Sequence, residues 1–161
     1  RTAFGPSDYQ ALKALLLPDD EVIYDWQAYH VWLLLALHEF HDDELIQAAG
    51  VIINNGGEPV GVVAGACIYA ASVAYECHWR AILGSLNAGR YQDILSQRSA
   101  VVALRRVEPD RIDWTRLGPE LRSSHSKLHG DPKSNQVVVP LPKVRMKHLL
   151  RSLPDVISGE Y

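Results

Sequence analysis

Two short runs hold most of the residues able to do chemistry. His38-Glu39-Phe40-His41-Asp42 gathers two imidazoles and two carboxylates in consecutive positions. On a helix of about 3.6 residues per turn His38 and Asp42 share a face and His41 lies one step round, which would present two or three ligands to a divalent metal. His30, Glu76 or His78 would have to complete such a site from elsewhere in the chain. The run departs from the zinc-protease helix motif, in which two histidines stand four apart with a glutamate as base, because Asp42 takes the place of the second histidine. One reading is therefore a metal-dependent hydrolase built on His38, His41 and Asp42. The plainer one is a solvated helix cap, and no metal is assigned.

The second run is Arg122-Ser123-Ser124-His125-Ser126-Lys127-Leu128-His129. An arginine followed at this distance by a histidine resembles the motif of the helical ribonucleases called HEPN. That resemblance implies an arginine that steadies phosphate charge and a histidine that transfers protons. Gly130-Asp131-Pro132 follows at once and breaks the helix on which such a motif sits. Without that context Arg122, His125, Lys127 and His129 form an exposed, serine-rich basic loop for an anion or a partner.

Other catalytic patterns are missing. The chain has no Gly-x-Ser-x-Gly elbow, no phosphate-cradling loop ahead of a Lys-Ser/Thr pair and no paired-glycine dinucleotide fingerprint, so no cofactor is implied. Gly61, Gly65, Ala66, Ala70 and Ala74 form a ladder of small residues of the kind that packs membrane helices. The uncharged run 59–75 is at the lower limit of about 17 residues for a span, and Glu58 and Glu76 flank it without lysine or arginine. The ladder fits better a soluble helix approached closely by several others, and no membrane partner is expected.

The elements that must carry these residues are helical. Ser7 and Asp8 open an apolar run that predicts a short helix over 7–17, ended by Pro18. Val22, Trp26, Tyr29, Leu33, Leu37 and Phe40 recur at three- and four-residue steps, predicting an amphipathic helix over 21–41. Asp42 and Asp43 start a helix through residue 53, which Asn54-Asn55-Gly56-Gly57 ends. Pro59 opens the longest stretch, read as one central buried helix over 59–86, and a further helix covers 91–105. Beyond Val107, prolines and glycines leave only short turns. Residues 136–141, β-branched and bounded by proline, read as an extended arm, and 143–153 as a terminal basic amphipathic helix. The expected fold is mainly α: five to six helices around the 59–86 helix, a helical body over 1–135, and an arm-plus-helix tail over 136–161 of the same domain.

A chain of 161 residues with 47% hydrophobic and 22% charged residues is ample for one packed core. Charge is unevenly laid out along it. Residues 1–60 carry ten acids against two bases, 61–121 seven bases against six acids, and 122–161 seven bases against three acids. The net charge of -3 argues against generic nucleic-acid binding by the whole protein. Cys67 and Cys77, placed on one helix, would stand about 15 Å apart and could not bridge, and unbridged thiols point to a reducing, cytoplasmic setting. The missing initiator methionine reads as a trimmed start.

The leading expectation is a structural, self-assembling protein: a segment of a helical, capsid-like shell subunit that packs against other copies of itself or other subunits, without catalytic residues. Its partner- or anion-binding residues would be Arg122, His125, Lys127 and His129 with Lys143, Arg145, Lys147 and Arg151 of the terminal helix. That helix would dock on the acidic surface around Asp19, Asp20, Glu21, Asp42, Asp43 and Glu44. The alternative is an RNA-binding or RNA-processing helical protein using the same basic residues.

Overall fold

The computed structural model describes residues 5–17, 25–55 and 57–122. The arm over 136–141, the terminal helix over 143–153 and the acids Asp19, Asp20 and Glu21 lie outside the described residues. Six α-helices follow in order: α1 (Pro6–Leu16), α2 (Asp25–Leu37), α3 (Asp43–Asn55), α4 (Val60–Val73), α5 (Tyr75–Asn87) and α6 (Ile94–Ala103). Two 3-10 turns, Pro109–Arg111 and Trp114–Arg116, come after them. Among the described residues there is no strand. The mainly helical reading holds.

At the centre is α4, packed by α2, α3, α5 and α6. Every side chain from Val63 to Ala71 is buried. A helix closed in on all sides has no polar face, so its apolar residues run round it rather than forming a stripe. The small-residue ladder is what permits this. A Cβ added at Gly65 would stand 2.6 Å from the Cβ of Trp32, so α2 approaches the α4 backbone as closely as a side chain allows. Trp32 then stacks obliquely on Tyr69, ring centroids 5.0 Å apart.

The start of α4 is held from a distance. The Asp25 carboxylate accepts hydrogen bonds from the Gly61 amide at 2.6 Å and the Val62 amide at 3.2 Å. A helix start leaves such amides without partners inside the helix, and a carboxylate also suits the positive end of its dipole. A residue of α2 thus caps α4, and the two helices run side by side in the same sense.

The predicted helix over 59–86 is two helices. Ala74 adopts φ -146, ψ 47 and serves as both the last cap of α4 and the first of α5. The Ser72 hydroxyl donates to the Ile68 carbonyl at 2.8 Å, a back-bond that bends helices. The bend lets α5 bury Ile82, Leu83 and Leu86 against the core beside α3, which a straight continuation of α4 would not do. Cys67 and Cys77 consequently sit on different helices, the first buried and the second exposed, and both are free. Burial pushes the Cys67 thiol up to about 12, against a smaller opposing pull from the Tyr91 hydroxyl.

The helix predicted over 21–41 ends at Leu37. Glu39 takes φ 50, and its amide donates to the Ala36 carbonyl while that of Phe40 reaches back to Leu35. This is the Schellman stop, usually made by glycine, and Gly89 (φ 73) makes the same pair of bonds at the end of α5. The predicted apolar stripe is also corrected. Every side chain from Val31 to Ala36 is buried, whereas Trp26 and Leu37 are 60% and 71% exposed. Tertiary enclosure of the helix middle, not a single face, decides what is covered.

Candidate functional site

The metal-binding run does not assemble. Asp42 is the N-cap of α3: its carboxylate accepts from the Leu45 amide at 3.0 Å and from the Lys13 ammonium at 3.0 Å. Burial raises the Asp42 pKa, but the Leu45 amide and Lys13 outweigh it, leaving the carboxyl below its ordinary value. His38 has turned to Tyr9, whose hydroxyl lies 3.3 Å from Nδ1, and His41 stands exposed with Nδ1 3.9 Å from an Asp43 oxygen. The helix stop at Glu39 separates His38 from the start of α3, so the one-face geometry expected of an unbroken helix is lost. Among the described residues no group of three or more His, Cys, Asp or Glu is placed to hold a metal ion.

Of the eight predicted binding residues, Arg122 alone is described. It is exposed, in helical backbone that begins at 119, its amide donating to the Gly118 carbonyl. His125, Lys127, His129, Lys143, Arg145, Lys147 and Arg151 lie outside the described residues. The acids expected to receive the tail are partly spent: Lys13 binds both Asp42 and Glu44, the latter at 2.7 Å.

A different basic surface emerges from residues far apart in sequence. Tyr75 and Trp79, four apart on α5, share a face. The guanidinium carbon of Arg80 lies 4.6 Å from the Trp79 ring centroid and that of Arg111 5.1 Å from the same ring. Arg106 lies 4.7 Å over Tyr75, and burial holds the Tyr75 phenol above its ordinary value against smaller downward pulls from Arg106 and Arg105. Three guanidiniums thus lie over two aromatic rings, and the charge of Arg105 acts on the Tyr75 phenol beside them.

Local structure explains the convergence. After α6 the chain turns through Leu104, whose carbonyl accepts from the Val107 amide at 2.8 Å, bringing Arg105 and Arg106 toward α5. The Asn87 side chain then clamps the next segment, donating to the Arg111 carbonyl at 2.8 Å and accepting from the Asp113 amide at 2.8 Å. The Trp114 indole donates to the Pro109 carbonyl and closes the turn that holds Arg111 over Trp79.

Two histidines off this surface are buried in part and lack a partner at one ring nitrogen among the described residues: His30 at Nδ1 and His78 at Nε2. Desolvation holds the pKa of both below the ordinary histidine value, against a smaller pull upward at His78 from its bond to the Ile46 backbone. A base with a depressed folded pKa binds fewer protons than in the unfolded chain, so stability falls as pH drops below about 6.5. The thermal midpoint is expected to fall between about pH 7.5 and 5, before carboxylates titrate, with His78→Gln showing a flatter profile. A midpoint independent of pH over that window contradicts this assignment. Comparison with protein families, with curated proteins and with solved structures finds no match to this chain.

Proposed function

We propose that this protein is a structural subunit that assembles with other copies of itself. The observation that carries the reading is the exposure of large apolar side chains on a well-packed body: Trp26 and Leu37 at the two ends of α2 and Val51, 65% exposed, on α3. Tryptophan is enriched among the residues that carry binding energy when a neighbour covers them, so Trp26 is the expected anchor, with Leu37 and Val51 adding apolar contact area. The charge layout of the sequence adds support, since an acidic front and a basic tail of opposite sign are complementary between copies. With Asp42 and Glu44 already bound by Lys13, apolar contact supplies the affinity and charge sets orientation. The capsid-like arrangement and a reducing, cytoplasmic setting belong to this same proposal. No helix among the described residues is long and apolar enough to cross a membrane.

The test is light scattering and sedimentation across a concentration series. The unaltered chain is expected to associate, and Trp26→Ser with Leu37→Ser to weaken association about 30-fold or more, the equivalent of one hot spot of about 2 kcal/mol. A chain that stays monomeric at every concentration, or a double variant that associates undiminished, overturns the reading.

A further inference from the structure

We infer that the face built from Arg80 and Arg111 over Trp79, Arg106 over Tyr75 and the neighbouring Arg105 binds the phosphodiester backbone of single-stranded nucleic acid. The proposal stands apart from self-assembly and involves none of the residues used there.

The arginines of the body differ in where their donors are spent. Arg98 is paired with Glu120 at 3.1 Å, Arg116 with Asp113 at 3.2 Å, and Arg90 donates to the Asn54 carbonyl at 3.1 Å. Those guanidiniums are committed to the protein. Arg80 and Arg111 are held by a ring instead, and a ring attracts the cation through its face without accepting the in-plane N–H groups. Among the described residues, no hydrogen bond or ion pair takes the side chains of Arg80, Arg105 or Arg111. Arg106 meets only Glu76, at 3.9 Å with both groups exposed, a contact worth little in water.

Charged donors that are exposed, oriented and unspent form an anion site, and three features favour phosphate on a polymer. All four cations are arginines, whose planar forks grip phosphate oxygens in pairs and lose little hydration in doing so. Arg80 and Arg111 share one indole, so their centres stand no further apart than the two ring distances combined, close enough to engage successive groups on one strand. The rings and the Asn87 clamp fix the forks of Arg80, Arg106 and Arg111 in advance, which removes part of the ordering cost of binding. An acidic peptide would supply carboxylates on flexible stems, a poorer match to fixed forks, and serves as the competing outcome.

The experiment uses the full chain with a fluorescein-labelled oligouridylate and the matching oligodeoxythymidylate, followed by anisotropy from about 50 to 200 mM salt. For single strands each neutralised phosphate adds about 0.7 to the magnitude of the log K against log salt slope, so four contacts cost about 50-fold in affinity over that range. Arg105→Gln with Arg106→Gln is expected to reduce the slope by about 1.4, and Arg80→Gln with Arg111→Gln by the same amount. Arg98→Gln with Arg116→Gln removes equal charge from committed arginines and should leave the slope unchanged. Glu76→Gln, which frees Arg106, should tighten binding. Equal loss in the Arg98 and Arg116 variant would reduce the effect to net charge and overturn the assignment, as would an unchanged slope in both face variants. Stronger competition by polyglutamate than by unlabelled oligouridylate also overturns it, in favour of an acidic peptide. The two oligonucleotides tell RNA from DNA: equal binding places recognition on phosphate, as proposed, and binding confined to one overturns backbone-only recognition.

Discussion

Gly65→Ala is expected to destabilise the protein while Gly84→Ala stabilises it, although both replace glycine with the best helix former inside a helix. On propensity alone each exchange gains about 1 kcal/mol. At Gly84 a new Cβ meets nothing within 4 Å, so that gain stands. At Gly65 the Cβ would lie 2.6, 2.8 and 2.9 Å from the Cβ, Cδ1 and Cγ of Trp32. These are not the loose end of a flexible chain; relieving them moves the α2 backbone or forces the indole off its rotamer. Overpacking of this kind costs about 1–3 kcal/mol and here exceeds the propensity gain. With about 2–4 °C per kcal/mol for a chain of this size, thermal denaturation should show Gly65→Ala melting several degrees low and Gly84→Ala slightly high. Shifts of the same sign for both would mean that α2 and α4 do not meet as described.

The larger loss is expected on the other side of the same contact. Trp32 is fully buried, and truncating it to alanine removes its stacking on Tyr69 and leaves a cavity, at about 3–5 kcal/mol. That is a large share of a stability of about 5–15 kcal/mol. The two substitutions should also fail to add. In a chain that already lacks the indole, the alanine at 65 has room, so the Gly65→Ala penalty should shrink or reverse sign when combined with Trp32→Ala. Urea denaturation of the two single variants and the double variant measures that coupling directly. Strict additivity would place the strain of Gly65→Ala somewhere other than Trp32.

Much of the helical body was legible because its punctuation is local. Pro59 precedes α4, Asp42 caps α3, and Asn87-Ala88-Gly89 stops α5 in the left-handed turn that glycine favours. What was not legible depended on distant partners. The stop at Glu39 uses a residue type that ordinarily continues a helix, so nothing in the local sequence announced it. The kink at Ala74 had one signal, the hydroxyl of Ser72 bonding back to Ile68, but its cause is the separate surface that α5 must bury. The exposure of Trp26 and Leu37 inverted a sound periodicity argument, because the partners of α2 surround its middle rather than flanking one side.

The arginine face was hidden by bookkeeping of charge along the chain. Residues 61–121 nearly balance, and that balance concealed a partition in space. Asp93 caps α6, and Asp113 and Glu120 pair with Arg116 and Arg98, while Arg80, Arg106 and Arg111 lie over two rings with Glu76 the acid that meets Arg106 there. The pairs Trp79-Arg80 and Arg105-Arg106 were visible as dipeptides, but only the Asn87 clamp and the turn after α6 place them together.

The enclosure of α4 sets how its backbone exchanges hydrogen with solvent. Most helices of a small domain lose amide protons through fraying or through opening of one exposed side, well below the cost of unfolding. From Val63 to Ala71 no residue of α4 has an outward side to open. Removing α2 alone would strip the cap at Gly61 and the wall at Gly65 together, so loosening one neighbour releases the helix start and its middle in a single event. Deuterium uptake in this segment therefore tracks the opening of the whole molecule, and α4 acts as its internal gauge of global stability.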